Sequence, residues 1–336
     1  MNLSVTAPLG HLGYGVHTYE LLKAFGARGH AVCVWPTFGQ DQRNDTVTRM
    51  WLDHRQDWTP DWPALMIFHE SFLTQFHSST VRVGLPVFER DVFTPVELAA
   101  LRGCNGVFVV SPWAQDVLAR HDLASQVVPE GVDPEIFPIQ PIPTTEAITF
   151  AHVGKFERRK GTLQLLRCFL TAFEREAVTL LLHIHNPFVQ DYQPLADLLT
   201  RAGCCTVTEG RVWRRRLLTV EFSAPVATQA DLARMIWARA DVGVFPAAAE
   251  GWNLPLLECL ASGVPAIAGR WTGQASYLTA MTGDDDVYSL PGTYGPATDA
   301  DPGWDPTGRA GWWQVTDDDL IDRLRTIRAR APDRFY

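Results

Sequence analysis

The stretch EGWNLPLLE carries two carboxylates, Glu250 and Glu258, that could bind hydroxyl groups or move a proton. The apolar run DVGVF before it predicts a buried strand, and the residues from Pro255 to Gly263 predict a helix. Glu250 is therefore expected in the turn at the carboxyl end of the strand, and Glu258 inside the helix. In those places the two groups would have different roles. The alternative is a pair of surface charges on an ordinary helix, which would show the same spacing.

The predicted helix start between the two glutamates offers backbone donors. Amide groups around Trp252, Asn253 and Leu254 would have no partner within the helix, and the helix dipole adds positive potential there. These amides could therefore hold phosphate oxygens.

A basic segment, HVGKFERRKG, follows an earlier predicted strand. Gly154 would let the chain turn, and the ammonium groups of Lys155 and Lys160 would together neutralise a diphosphate without a metal ion. The alternative is a solvated basic helix start, because charge runs usually lie on exposed faces.

Glycines also follow the first predicted strand, in the stretch GYG from Gly13 to Gly15. The absence of a side chain at Gly15 would let a phosphate approach the start of the next helix. A tight turn from strand to helix needs the same glycines and is the alternative.

Composition limits the class of protein that holds these residues. The 336 residues are 46% apolar and 20% charged, without an apolar run near the roughly 20 residues that a bilayer span needs, which predicts a globular protein. The start MNLSVTAPLG lacks the pattern of a signal peptide, and the six cysteines show neither metal-ligand spacing nor a disulfide framework, so a cytoplasmic location is expected. A net charge of −9 disfavours nucleic acid except at a local basic patch.

Apolar runs alternate with helical patterns along the chain, which predicts the α/β class with parallel sheets covered by helices. The proline-rich stretch IFPIQPIPTTEA separates two doubly wound units. We place the domains at residues 1–140 and 141–315, with a C-terminal helix at 316–336 that could pack back on the first domain. The segment from Thr282 to Gly311, rich in Gly, Pro and Asp, is expected to be loop. Ligands of such folds bind at the carboxyl ends of the strands.

Four motifs in this order resemble those of retaining glycosyltransferases of family 4, the glycogen-synthase and sucrose-synthase type. GYGVHTYELLKAFGARGH resembles the N-terminal glycine loop and helix, VVPEGVDPEIF the interdomain segment, GKFERRKG the basic phosphate loop and EGWNLPLLE the paired-glutamate motif. The resemblance covers nearly the whole chain. It implies the GT-B architecture, in which two Rossmann-like domains face a central cleft, the first on the acceptor side and the second holding the donor.

By this resemblance, Glu250 would contact the transferred sugar and Glu258 the ribose hydroxyls of the nucleotide. Lys160 matches the phosphate-binding lysine of the family, whereas Lys155 stands where arginine is usual and lacks its bidentate fork. The implied donor-binding residues are Gly15, Gly154, Lys155, Lys160, Gly210, Arg211, Trp252, Asn253, Leu254 and Glu258.

Some of these positions depart from the family pattern or match it only in part. Asn253 replaces a common glycine and Trp252 a common phenylalanine, which could narrow the sugar pocket. Gly210 and Arg211, in TEGRV after another predicted strand, resemble the turn whose backbone frames the nucleotide base.

The first domain contributes three further candidates. IFHESF places His69 at a strand end, where some members of the family carry a histidine facing the donor sugar, and we assign it a catalytic role. A satisfied structural histidine is the alternative. VFERDVFTPVELAAL resembles an acceptor-side segment of related enzymes, which makes Glu89 and Asp91 candidate acceptor contacts, with a helix-capping acidic cluster as the alternative.

Three other patterns could indicate different ligands. His183 and His185 share one face of a strand, as a metal pair might, but no third ligand is evident. The DDD run at 284–286 is expected to be solvated in a glycine-flanked loop. The stretch RVWRRR, residues 211–216, could grip a phosphorylated acceptor or nucleic acid. No metal site is predicted.

The expected activity is transfer of a sugar, with retention at the anomeric carbon, from a nucleoside diphosphate sugar to an acceptor hydroxyl. No cofactor is expected, and the donor is a UDP-sugar or, in second place, a GDP-sugar. The acceptor stays open among a glycan, a lipid, a small molecule and a modified base in DNA. The alternatives on the same fold are a nucleotide-sugar epimerase, a phosphorylase and a catalytically inactive sugar-nucleotide binding protein.

Overall fold

The chain consists of two compact units, Met1–Glu130 and Gly131–Tyr336, each with its own sheet. The computed structural model describes residues 1–10, 12–37, 46–78, 80–141, 147–188, 191–208, 211–281 and 288–330. Mostly parallel sheets combined with helices confirm the predicted α/β class. Among the helices of these ranges, none has the length and apolar character needed to cross a membrane.

The division between the units lies earlier in the chain than the boundary at residues 140 and 141 that the prolines indicated. The proline-rich segment itself packs on the second unit, where the Gln140 amide donates to the Ser262 carbonyl over 2.8 Å. The Ile139 side chain lies 3.0 Å from the place that a β-carbon on Gly263 would occupy. These contacts make the segment part of the second unit instead of a free linker.

The first unit contains a six-stranded sheet in which every neighbouring pair is parallel. Its strands are β1 Asn2–Ala7, β2 Ala31–Pro36, β3 Ala64–Met66, β4 Arg82–Gly84, β5 Gly106–Val109 and β6 Gln126–Val127, in the spatial order β2-β1-β3-β4-β5-β6. Its helices are α1 Gly13–Ala27, α2 Thr46–Asp53, α3 Pro95–Arg102 and α4 Pro112–Ala119. Apolar side chains from β3, β5, α3 and α4 form a buried core.

The second unit contains an eight-stranded sheet, six strands of which run parallel. The strands are β7 Ile148–Val153, β8 Val178–His183, β9 Cys205–Thr208, β10 Val212–Arg215, β11 Leu218–Phe222, β12 Val242–Phe245, β13 Ala266–Gly269 and β14 Ser289–Leu290. Their order is β14-β13-β12-β7-β8-β11-β10-β9, and β10 pairs in the antiparallel sense with both of its neighbours, β11 and β9. The carboxyl ends of the parallel strands therefore lie along one edge.

Helices of the second unit enclose a core that extends to the end of the described chain. They are α5 Thr162–Ala172, α6 Gln193–Arg201, α7 Gln229–Met235, α8 Leu254–Ala261, α9 Ala275–Met281 and α10 Asp317–Arg330. Helix α10 buries Leu320, Leu324 and Ile327 in this core, and Arg167 of α5 binds Asp317 at its start over 2.7 Å. The C-terminal helix thus packs within the second unit. The sequence alone left open that it packs back on the first domain.

Part of the segment that we expected to be loop, from Thr282 to Gly311, is ordered as strands. Besides β14, it contains β15 Thr293–Pro296, which pairs in the antiparallel sense with β16 Gly311–Gln314. Tyr294 lies opposite Trp313 in this pair, and Trp313 stacks on Trp271 with ring centroids 5.2 Å apart. The expectation of a loop was wrong here because aromatic contacts between distant parts of the chain stabilise a segment whose composition is typical of turns.

Candidate functional site

The basic segment and the first glutamate meet because their strands are neighbours. Strand β7 pairs with β12 in parallel, so the residues after Val153 and those after Phe245 leave the sheet at the same edge. The basic segment forms a 3-10 turn, Arg158–Lys160, which ends at Gly161 with φ +70°. A β-carbon on Gly161 would lie 2.8 Å from the Pro246 carbonyl oxygen, so this close approach requires glycine.

Glu250 lies at the centre of a buried ion cluster and is only 4% exposed. Lys160 Nζ donates to its Oε1 over 2.6 Å, and Arg159 Nη1 donates to its Oε2 over 3.0 Å. Arg159 Nη1 also donates to the Ala249 carbonyl over 2.6 Å, so one guanidinium fixes both the backbone and the carboxylate of this loop. The structure thus brings two of the predicted site residues, Lys160 and Glu250, into direct contact.

The cluster continues to the other predicted lysine through Glu157. Lys155 Nζ lies 2.7 Å from Glu157 Oε1, and Arg159 Nη2 donates to Glu157 Oε2 over 3.2 Å. Cations and anions therefore alternate along a single chain of contacts from Lys155 to Lys160. These contacts join three cations to two carboxylates.

The neighbours of Glu250 determine its charge. Burial alone would raise the pKa of Glu250, but the charges of Lys160 and Arg159 outweigh burial and lower it below its usual value. Burial lowers the pKa of Lys160, Arg159 adds to that effect, and the Glu250 carboxylate opposes it. Glu250 is therefore ionised at neutral pH.

A neutral histidine lies next to this cluster. His152 Nδ1 bonds the Val244 carbonyl over 2.7 Å, and Nε2 bonds Thr162 Oγ1 over 3.0 Å. Burial lowers the pKa of His152 to about 4, so the imidazole adds no charge at neutral pH. A β-carbon on Gly154 would lie 3.6 Å from His152 Nε2 and from Lys160 Cδ, which is ordinary contact, so sterics do not demand this glycine.

The loop after Glu250 leads into α8, whose start has no side-chain cap within the described chain. Asn253 is the residue before the helix and has φ +73°, a conformation that asparagine adopts more readily than most residues. Its side-chain Nδ2 donates to Gln274 Oε1 over 2.8 Å instead of reaching the helix amides. Leu254 is the first residue of the helix. The amides at this helix start thus carry partial positive charge that no side chain offsets.

Trp252 lies in the loop between Glu250 and Asn253, where contacts with Tyr277 fix it. It is 5% exposed, and its ring packs on Tyr277 with centroids 5.0 Å apart. The Tyr277 hydroxyl donates to the carbonyls of Trp252 and Asn253 over 2.9 and 3.1 Å. Trp252 Nε1 is buried and bonds no residue that the structure describes.

Glu258, the second glutamate of the motif, lies apart from the ion cluster. It is 3% exposed on α8, and its Oε2 has no hydrogen-bond partner among the described residues. With no cation to offset it, burial raises the pKa of Glu258 to about 8. The side chain is therefore a neutral carboxylic acid at pH 7, which can donate one hydrogen bond and accept others.

The remaining donor-side candidate of the second unit lies at a hairpin. Arg211 precedes β10 and accepts a hydrogen bond at its carbonyl from the Phe222 amide, over 2.8 Å, at the end of β11. Gly210 lies outside the described residues. A role of these two residues at a nucleotide base stays a prediction.

The structure describes two of the three other sequence patterns, the arginine-rich stretch and the histidine pair. In the arginine-rich stretch, Arg215 donates to the carbonyls of Ala202, Leu170 and Phe173, so it holds the unit together. His183 bonds Ser223 Oγ over 2.7 Å, and His185 is exposed. The DDD run at 284–286 is outside the described residues. No group of three His, Cys, Asp or Glu side chains that could hold a metal ion occurs in the part of the chain that the structure describes.

In the first unit, Gly15 lies in the first turn of α1, and His69 follows β3, the strand that pairs with β1. A β-carbon on Gly15 would lie 2.3 Å from the Gly10 carbonyl oxygen, so the turn from strand to helix itself requires glycine. The Tyr14 hydroxyl donates to the Val87 carbonyl and lies 3.4 Å from His69 Nδ1. The Tyr14 ring meets the edge of the imidazole, with centroids 5.1 Å apart.

The two acceptor-side candidates, Glu89 and Asp91, lie half-buried before α3. The capping box of this helix is made by Thr94 and Glu97: Thr94 Oγ1 accepts from the Glu97 amide, and the Glu97 side chain accepts from the Thr94 amide. The contact of Glu89 and Asp91 with an acceptor stays a prediction.

Sequence reasoning missed Arg159 and Glu157, which connect the two predicted lysines to Glu250. Their signal was present in KFERRK, where the charge changes sign at every second residue from Lys155 through Glu157 to Arg159, but the Glu250 partner of Arg159 is 91 positions away in the sequence. Only the pairing of β7 with β12 brings the two together.

Comparison with solved structures identifies the fold of the chain as GT-B, the fold of a large class of glycosyltransferases. The chain is similar to sucrose-phosphate synthase from Thermosynechococcus elongatus, with a TM-score of 0.67 and 16% sequence identity, over 98% of this chain and 90% of that chain. No protein-family model matches the chain, and no curated protein matches it either.

Two further structures show the same fold. The α,α-trehalose-6-phosphate synthase from Burkholderia multivorans has a TM-score of 0.55 and 13% identity, over 83% of this chain and 85% of that chain. HepE from Anabaena in complex with UDP-glucose has a TM-score of 0.56 and 15% identity, over 82% of each chain. At such low identity the likeness concerns the fold, and the activity has to be argued from the site.

Proposed function

We propose that this protein is a retaining glycosyltransferase that moves a hexose from a nucleoside diphosphate sugar to an acceptor hydroxyl without a metal ion. The observation that carries this proposal is the buried cluster in which Lys160 and Arg159 bind the Glu250 carboxylate. This cluster lies at the carboxyl edge of a parallel sheet, where folds of this class bind their ligands.

The diphosphate is the leaving group, and its negative charge grows as the bond to the sugar breaks. Lys160, Lys155 and the uncapped amides at the start of α8 meet that charge. Positive groups that are already in place stabilise the transition state more than the ground state, because they need no rearrangement while the charge develops.

The two cations on Glu250 have different roles in this proposal. Lys160 Nζ has three donors and can turn to a phosphate oxygen when the donor binds. Arg159 is fixed by the Ala249 carbonyl and keeps its bond to Glu250 Oε2. Glu250 therefore stays ionised and oriented when Lys160 binds the donor, and its charge can stabilise the positive anomeric centre of the transition state.

Glu258 suits a different part of the donor. Its buried, neutral carboxyl can both donate to and accept from the paired hydroxyls of a ribose, which fits the ribose contact implied by the paired-glutamate motif. The reaction forms a bond from the acceptor oxygen to the anomeric carbon and breaks the bond from that carbon to the phosphate oxygen. The departing phosphate oxygen takes the proton of the acceptor hydroxyl, so no protein base is required.

A uridine nucleotide is the first choice of donor. HepE, one of the similar structures, is solved with UDP-glucose, which supports a UDP-sugar, with a GDP-sugar in second place. The acceptor is left to experiment among glycan, lipid, small molecule and modified DNA base.

The proposal can be tested with a thermal-shift screen of UDP, GDP, ADP, UDP-glucose and GDP-mannose, because a ligand that binds the native state raises the melting temperature. The best donor is then incubated with and without acceptor mixtures, and the products are separated and their anomeric configuration is determined by NMR. We expect stabilisation by UDP and UDP-glucose, and a product that retains the configuration of the donor.

Each other outcome identifies a different function. A changed sugar nucleotide in the absence of acceptor would indicate an epimerase. Release of sugar 1-phosphate from a glycan and inorganic phosphate would indicate a phosphorylase. Binding with neither transfer nor slow hydrolysis would indicate a binding protein. Activity that EDTA abolishes and manganese restores would contradict metal independence.

A further inference from the structure

The hairpin segment, residues 293–314 with β15, β16 and their connection, contacts both loops that form the ion cluster. Asp301 Oδ2 accepts a hydrogen bond from the Arg158 amide over 2.8 Å. The Arg158 side chain donates from Nη1 to the Asp299 carbonyl over 3.0 Å. The Trp313 amide donates to the Ala248 carbonyl over 2.9 Å.

The contact of Asp301 replaces a missing helix cap. The 3-10 turn Arg158–Lys160 is preceded by Glu157, whose side chain makes no capping bond. The first amide of such a turn has no partner within the turn itself, and a carboxylate is a strong acceptor for it. Asp301 supplies that acceptor from 143 positions further along the chain.

The turn that Asp301 caps is the one that positions both cations of Glu250. Arg159 and Lys160 follow Arg158 directly, and the Arg159 carbonyl accepts from the Ala248 amide over 2.8 Å. Ala248 is in turn bonded to Trp313 of the hairpin segment. The turn, the loop that leads to Glu250 and the hairpin segment therefore form one network of hydrogen bonds.

We propose that Asp301 is a positioning residue of the donor site, which holds the turn Arg158–Lys160 so that Lys160 and Arg159 are in place before a nucleoside diphosphate binds. This inference rests on the proposed function, because the diphosphate is the ligand that the turn serves. Without the cap, binding would have to order the turn, and the cost of that ordering would weaken the affinity.

Three variants separate the hydrogen bond from the charge. Asp301→Ala removes both, Asp301→Asn keeps an acceptor oxygen and removes the charge, and Asp299→Ala removes a charge from the same segment while its bonding carbonyl is retained. UDP is titrated by calorimetry, and amide hydrogen exchange is measured by mass spectrometry on a peptide covering residues 154–161.

We expect Asp301→Ala to weaken UDP binding about fivefold and to raise the exchange rate of that peptide by a similar factor, the usual effect of losing a cap. Asp301→Asn and Asp299→Ala should stay near wild type in both measurements. The proposal is overturned if Asp301→Ala matches Asp299→Ala in exchange, or if UDP affinity follows the loss of charge in all three variants.

The exchange measurement needs no nucleotide, so it keeps this inference apart from the proposed function. A wild-type protein that does not bind UDP contradicts the proposed donor. Faster exchange in Asp301→Ala alone would then still establish that Asp301 orders the turn, and unchanged exchange would refute it.

Discussion

The two ends of the paired-glutamate segment provide the same chemical group in opposite states. Glu250 and Glu258 are both almost fully buried. Glu250 binds two cations and has a lowered pKa, whereas Glu258 Oε2 has no hydrogen-bond partner in the described part of the chain and the pKa of Glu258 is raised to about 8. Burial is therefore common to both, and the presence of a cation decides which carboxyl is charged.

This difference makes the two residues suitable for different ligands. An ionised carboxylate can stabilise positive charge that develops during a reaction, and a neutral carboxyl can hold a polar ligand without opposing its phosphates. If the two residues respond alike to substitution, this assignment of different roles is wrong, and responses that differ in kind support it.

The largest effect is expected for Glu250→Gln, because the amide removes the carboxylate charge that the buried Lys160 and Arg159 share, and Arg159 keeps Glu157 as a counter-charge. Removing one partner of a buried ion pair costs about 3–5 kcal/mol of the free energy of unfolding. Turnover should fall by more than donor affinity, since the charge acts mainly in the transition state. Urea unfolding and steady-state kinetics at saturating acceptor measure the two quantities. An equal loss of stability in Glu258→Gln would break the comparison.

The second largest effect is expected for Lys160, the cation that binds Glu250 Oε1. Lys160→Ala should weaken UDP binding by about tenfold to a hundredfold, the value of a charged hydrogen bond, and should also lower turnover. Lys23→Ala is the control, because Lys23 makes a half-exposed pair with Glu20 in the first unit. Calorimetry with UDP measures the affinities. Unchanged UDP affinity in Lys160→Ala would move the phosphate site elsewhere.

A smaller effect is expected for Glu258→Gln, which keeps the neutral state but changes the hydrogen-bonding pattern toward ribose. The Michaelis constant for the donor should rise about tenfold, with turnover nearly unchanged, because ground state and transition state lose the same contact. The free energy of unfolding should stay within about 0.5 kcal/mol of wild type at pH 5, as for most substitutions without a broken pair. A large loss of turnover would assign Glu258 a part in the chemistry.

The smallest effect, when it is counted per pH unit, is a pH dependence of opposite sign for the two residues. The folded pKa of Glu258 is raised from 4.5 to about 8, so its stabilising contribution is complete below pH 4.5 and is lost as the pH rises to 8. The stability of wild type relative to Glu258→Gln should therefore fall by about 1 kcal/mol per pH unit over that window.

Stability relative to Glu250→Gln should show the opposite dependence on pH. Its pKa is lowered in the folded protein, so its contribution is present above pH 4.5 and is lost as the pH falls through the folded value. Urea unfolding of wild type and each variant from about pH 2 to pH 8 measures both trends, because the loss of the Glu250 contribution lies below pH 4.5. Trends of the same sign would show that the two carboxyls have the same environment.

Sequence patterns predicted the parallel cores of both units but not the elements that depend on distant contacts. The strands β7, β8 and β12 are mostly apolar and mostly buried, and such runs are visible in a single sequence. The pair β15 and β16 is stabilised by Trp271, Tyr294 and Trp313, which lie in separate stretches. Its turn-forming composition therefore predicted a loop.

In the candidate site, too, the sequence predicted what local motifs contain and not what depends on distant contacts. Glu250 and Lys160 were identified from motifs, and their direct contact follows from the pairing of β7 with β12. The role of Arg159 depends on an ion pair that no local pattern contains. The neutral state of Glu258 depends on burial by the surrounding fold, so the sequence indicated the residue but not its protonation.

The stack of Trp271 on Trp313 gives the hairpin segment an optical signature. Their indole planes are 9° from parallel, with ring centroids 5.2 Å apart. The chain has 12 tryptophans in all, so the signal of this pair has to be separated from that of the others. Two chromophores so close interact, so their near-ultraviolet circular dichroism differs from that of two isolated indoles. A difference spectrum between wild type and Trp313→Phe would isolate this signal. The contact between the hairpin segment and the loop that leads to Glu250 could then be followed in solution during a titration with UDP, without any added label.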